Sequence, residues 1–100
     1  MSVQTNITAL LRALKSLIPA TEISIVHQRP WHSLTFSGTQ LCLSVQLGNI
    51  ISIRDSADIS ARLSGHEFVL PSQIVADIAA TQTVADGLPC LIIDALLLDD

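Results

Sequence analysis

The stretch LCLSVQL, Leu41 to Leu47, sets Leu41, Leu43, Val45 and Leu47 on one parity and Cys42, Ser44 and Gln46 on the other. Side chains alternate across a strand, so this pattern demands a sheet with one buried face. The stretch LIIDALLL, Leu91 to Leu98, has the same apolar parity at Leu91, Ile93, Ala95 and Leu97, and adds Ile92, Leu96 and Leu98 on the opposite one. A strand that is apolar on both sides is expected to be covered on both. The fold must therefore be a sheet layered against other material.

Helices supply one layer. Ile7, Leu10, Leu11, Leu14, Leu17 and Ile18 fall on one stripe at helical spacing, with Thr5 or Asn6 as the cap and Pro19 as the stop. A second, shorter helix is predicted over Ser56–Leu63, capped by Asp55 or Ser56, with Arg62 in its last turn and Gly65 just beyond. Ile50–Ile53 reads equally as strand or buried connector. Strands are predicted at Glu22–His27 and, after a break at Gln28–Pro30, at residues 31–36, with His32, Leu34 and Phe36 facing the helices and Trp31, Ser33 and Thr35 facing away. The segment SGTQ is expected to turn the first hairpin. EFVLP, from Glu67, is expected to begin as strand. A second hairpin runs from about Gln73 to Leu98, with Ile74, Ala76, Ile78 and Ala80 on the face of Leu91, Ile93, Ala95 and Leu97.

The predicted fold is a single α+β domain over residues 1–100, a two-layer sandwich in the order α-β-β-α-β-β. Two helices lie on one face of a four-stranded antiparallel sheet. Moving one strand from the end to the beginning gives the ferredoxin-like order, so a permuted relative of that fold is a candidate. EFVLP echoes EISIV, so the two halves repeat in topology about 45 residues apart, with almost no identity between them.

Composition narrows the function. Apolar residues make up 49% of the chain and charged residues 14%, against about 25% charged in an ordinary domain. Such a surface exposes apolar patches, which mark contact with a partner. A net charge of −4 and the scattered cations Arg12, Lys15, Arg29, Arg54 and Arg62 leave no basic stripe for nucleic acid or an anionic membrane. Arg12 and Lys15 interrupt the N-terminal apolar run, unlike a signal peptide, and no run reaches the roughly 18 residues of a membrane span. The chain reads as cytoplasmic, with Cys42 and Cys90 as reduced thiols. Their spacing matches no zinc site, and no metal or cofactor is implied.

By parity, the face away from the helices carries Trp31, Cys42, Ser44, Gln46, Val75, Asp77, Ala79, Thr81, Cys90, Ile92, Asp94, Leu96 and Leu98, without Lys or Arg. The leading expectation is a non-enzymatic domain that forms a homodimer, or docks another protein as a regulator does, through Trp31, Val75, Ile92, Leu96 and Leu98. The alternative is a small-ligand- or cation-binding protein or enzyme built on Asp77 and Asp94. Those two residues face each other if the hairpin closes near Ala85–Asp86 and are diagonal if it closes near Asp86–Gly87. In a dry site such a pair would hold one proton to a raised pKa. Arg29 and His32 are the further ligand-binding candidates, although His32 on the core side is ordinarily a neutral, hydrogen-bonded histidine. GHEF at His66 lacks the second histidine of a zinc helix, no GxSxG or glycine-rich phosphate loop occurs, and Trp31, Phe36 and Phe68 are too few to stack bases. No stretch carries the signature of a family of known activity.

Overall fold

The computed structural model describes residues 3–18, 20–47, 53–85 and 87–99. The chain runs α1 (Val3–Leu17), β1 (Ala20–His32), β2 (Ser37–Leu47), α2 (Ile53–Gly65), β3 (Gln73–Ala85) and β4 (Leu88–Asp99). The strands form one four-stranded sheet in the order β1-β2-β4-β3 with every neighbour antiparallel. This is the α+β sandwich that the alternation and the helical stripes predict.

The inner face packs on the helices. Leu41, Leu43 and Val45 of β2 and Leu91, Ile93, Ala95 and Leu97 of β4 join Ile7, Leu10, Leu14, Ile18, Ile59 and Leu63 in one buried cluster. Ile78 enters this cluster from β3, and Phe68 and Leu70 pack against it from the α2–β3 connection. That connection, residues 66–70, is irregular rather than the expected strand. It leads into Ser72, which is held by Asn6, a residue only 1% exposed. Asn6 Nδ2 donates to Ser72 Oγ (3.0 Å) and Asn6 Oδ1 accepts from the Ser72 N–H (2.9 Å). Asn6 is thus no cap: α1 starts one turn earlier, and the amide satisfies the loop that approaches the helix. At the other end of α1 the Ile18 N–H donates to the Leu14 carbonyl (2.9 Å), and the expected stop, Pro19, lies outside the described residues. Likewise α2 starts at Ile53, so residues 55–56 lie inside it, whereas 50–52 fall outside the described residues.

β-Bulges in β1 and β3 change the parity count. In β3 the bulge at Ala76, between Val75 and Asp77, brings Val75 opposite Leu97 on the inner face and Ile74 opposite Leu98 on the outer. An extra residue flips every side chain before it. Val75 is therefore a core neighbour, and Ile74, 51% exposed, takes the outer place expected of Val75. β1 has register shifts between Ala20 and Glu22 and between Ile25 and His27, and its pairing with β2 runs unbroken through Gln28–Pro30. Pro30 lacks an amide donor, which an edge strand tolerates.

The first hairpin turns at residues 33–36, not at SGTQ. The Ser33 N–H donates to the Phe36 carbonyl (2.8 Å), and Ser33 Oγ accepts from the Phe36 N–H (3.0 Å). Leu34 and Phe36 are consequently exposed in the turn rather than packed beneath the helices. Gly38 belongs to β2, where a Cβ would collide with the Leu97 carbonyl oxygen. Glycine is required there by the close approach of β4. The second hairpin closes with Ala85 opposite Leu88, and Gly87 takes φ 77°, a left-handed value that suits glycine.

The registers also reveal an approximate twofold axis normal to the sheet, through the Cys42–Asp94 pair. Ile23 corresponds to Val75, His27 to Ala79, Leu41 to Ile93 and Val45 to Leu97, each pair offset by 52 residues as in 94 − 42. The offset exceeds the expected spacing because the counterpart of β1 is β3, whereas EFVLP, which echoes EISIV, is connection rather than strand.

Two substitutions test this packing. Asn6→Ala leaves the Ser72 amide without its acceptor and should cost about 1–3 kcal/mol. Gly38→Ala forces β2 from β4 and should cost about 1–3 kcal/mol, as overpacking does. In thermal unfolding each kcal/mol appears as a fall in Tm of roughly 4–8 °C. An unchanged Tm in either variant contradicts the role given to that residue.

Candidate interaction face

On the side of the sheet away from the helices lies an outer face over which no described element packs. Its side chains form cross-strand rows. From β1 to β3, the registers give Ser24, Ser44, Ile92 and Thr81, then His27, Cys42, Asp94 and Ala79. The next row is Arg29, Gln40, Leu96 and Asp77, and the last is Trp31, Gly38, Leu98 and Ile74. Trp31, Ile92, Leu96 and Leu98 are half-buried here, and only Val75 of the expected interface set points the other way.

Charge is the main departure from expectation. Arg29 and His27 stand on this face, because β1 continues through Pro30 and carries the parity of Trp31 back along the strand. The sequence signal for both is the position of Trp31, which a break at Gln28–Pro30 hides. The face is thus graded: an apolar end at Trp31, Leu98 and Ile74, and a polar band at His27, Gln40, Asp77 and Asp94.

Asp77 lies opposite Leu96 and Asp94 opposite Ala79, so the two aspartates are diagonal neighbours. Both are exposed, so the dry site that would trap a proton between them is not formed. With His27, Gln40, Leu41, Ala95 and Leu96 they line a shallow depression of about 220 Å³. Among the described residues, no three His, Cys, Asp or Glu side chains are placed to hold a metal ion.

Cys42 is buried beside Asp94. Burial pushes its thiol pKa up, and the Asp94 charge and a hydrogen bond to Asp94 add to that rise. The thiolate is the nucleophilic form, so this cysteine is held away from it. Cys90, opposite Gln46, is also a buried free thiol. Gln46 lies four residues along β2 from Cys42. At about 3.3 Å per residue that separation, roughly 13 Å, is beyond the reach of a Cys42–Cys90 disulfide.

His32 sits apart from the aspartate pair, exposed at the sheet end and opposite Ser37 on the inner parity. It is therefore not the core histidine expected. Beside it Ser37 Oγ donates to Asp99 Oδ2 and Gln73 Nε2 to Asp99 Oδ1, both at 2.9 Å. The Gln73 and Ser37 bonds, with His32 nearby, hold the Asp99 carboxyl below the usual carboxylate range. The Ser37 hydroxyl is committed to a carboxylate rather than to a histidine base, so the cluster ties β2, β3 and β4 together and is not a nucleophilic triad.

Among the described residues no helix is long and apolar enough to cross a membrane. Comparison with family models, curated proteins and solved structures finds no match to this chain.

The Cys42–Asp94 contact makes a titration prediction. A thiol whose folded-state pKa is raised contributes its stability in full below the ordinary value of 9.0 and loses it as pH climbs past the raised value. Asp94→Asn removes the charge, so the rate of Cys42 alkylation against pH should move to lower pH. A profile identical to that of the parent protein contradicts the coupling.

Proposed function

We propose that this chain is a non-enzymatic, self-associating domain that acts in the cytoplasm through protein–protein contact, its outer sheet face packing on a second copy. The observation that carries this reading is the uncovered outer face, with Trp31, Ile74, Leu96 and Leu98 gathered at one end. An apolar cluster that includes a tryptophan and is rimmed by polar residues has the composition of an interface centre. The polar band does not oppose this, because Asp77, Asp94, His27 and Arg29 are spread over three strands. The chemistry present also favours binding over catalysis: Cys42 is kept protonated, and Ser37 bonds a carboxylate instead of a base.

A second reading is favoured by the depression between His27, Gln40, Asp77 and Asp94. It would take a small polar ligand with hydrogen-bond donors for the two carboxylates.

Sedimentation of the full chain separates the two. On the first reading the parent protein is a dimer, while Leu96→Glu and Trp31→Ala are folded monomers. On the second, the parent is a monomer whose Tm rises with a small-molecule or divalent-cation panel, and Asp77→Asn abolishes that rise without unfolding the chain.

A further inference from the structure

The outer face carries opposite charges at its two edges, at one level of the sheet. Resting on the self-association reading, we propose that two copies pack outer face to outer face about a twofold axis parallel to the strands, so that Arg29 of each copy meets Asp77 of the other. Arg29 lies opposite Gln40, Gln40 opposite Leu96, and Leu96 opposite Asp77. The two charges thus share a row, yet they stand on β1 and β3, three strand spacings of about 4.8 Å apart. That is too far for a pair within one chain. Both side chains are exposed, and neither forms an ion pair with a described residue.

A twofold axis along the strands reverses the strand order of the second copy while keeping each row at its level. β1 then lies over β3 of the other copy, and the Arg29–Asp77 contact is made twice. In the adjoining row Trp31 meets Ile74 of the other copy, and Gly38 meets its Leu98, so a bulky side chain faces the position with none. An axis across the strands would instead stack β1 on β1 and β3 on β3. Passing through this row, it would set Arg29 on Arg29 and Asp77 on Asp77. Like charges brought together at an interface are disfavoured, and this selects the first axis. Facing sheets pack about 10 Å apart with strands within about 30°, a gap that an arginine and an aspartate bridge together.

The same axis has one unfavourable consequence. Asp94 stands next to it and meets its own copy obliquely. A face of four strands and these rows offers roughly 600 Å² per copy, under the roughly 800 Å² of a standard interface. Charge placement therefore fixes the orientation of an interface of modest area.

Charge reversal tests the arrangement, read by sedimentation equilibrium of the full chain, with far-UV circular dichroism as the check on folding. R29E and D77K should each weaken self-association about tenfold or more. An equimolar mixture of the two variants should restore it to within a few-fold of the parent, because the heterodimer sets opposite signs against each other at both of its contacts, one reversed and one as in the parent, and leaves no like-charged pair in the row. Asp94→Asn should tighten the dimer. If the parent dimerises but neither reversal weakens it, or the mixture fails to recover, this arrangement is overturned while self-association stands. A parent protein that is monomeric at about 100 µM overturns the self-association reading itself.

Discussion

The pairing of β2 with β4, from Gly38 opposite Leu98 to Gln46 opposite Cys90, is the contact on which the rest of this structure depends. Each hairpin alone is a two-stranded ribbon, which is marginal in water. Joined at this seam they present Leu41, Leu43, Val45, Leu91, Ile93 and Leu97 as one continuous surface, with 0–1% exposure for each. α1 and α2 have an apolar floor to rest on only because the two central strands are adjacent. Gly38 is the local condition for that adjacency, since any side chain there meets the Leu97 backbone.

The seam also decides the character of the outer face. Its central pair is Cys42 with Asp94, which buries a thiol beside a carboxylate and keeps the thiol protonated. The approximate twofold symmetry of the backbone passes through this pair, but the side chains do not obey it. At one end stand Trp31, Leu98 and Ile74; at the other, Glu22, Gln46 and Thr83. Symmetric topology with asymmetric chemistry yields a face with one sticky end and a polar remainder. The inner side has its own unevenness: Ile25 on the edge strand β1 is 41% exposed, whereas Leu43 opposite it is fully buried.

Much of the fold is legible because period-2 and period-3.6 patterns depend on burial alone. Leu41–Val45, Leu91–Leu97 and the α1 stripe each declare an element and its buried side. The positions that mislead are those where a single residue changes the count. The bulge before Asp77 exchanges Val75 and Ile74 between faces, and the unbroken β1 carries Arg29 and His27 onto a face that reads as free of cations. The turn at Ser33–Phe36 is hidden because it closes by a backbone bond and one serine hydroxyl, a weaker sign in the sequence than the glycine of SGTQ. That glycine is used for strand packing instead.

The sequence by itself determined the class of fold, the buried parity of both central strands, and an apolar excess that the helices could not absorb. These follow from composition and alternation, which any fold of this chain must respect. Only the tertiary structure decided which residues share a row. Asp77 and Asp94 became exposed diagonal neighbours rather than a shielded pair, His32 left the site for the Asp99 cluster, and Arg29 came level with Asp77. Register depends on turns and bulges, whose energies are small locally but which are fixed once the whole sheet closes on its core.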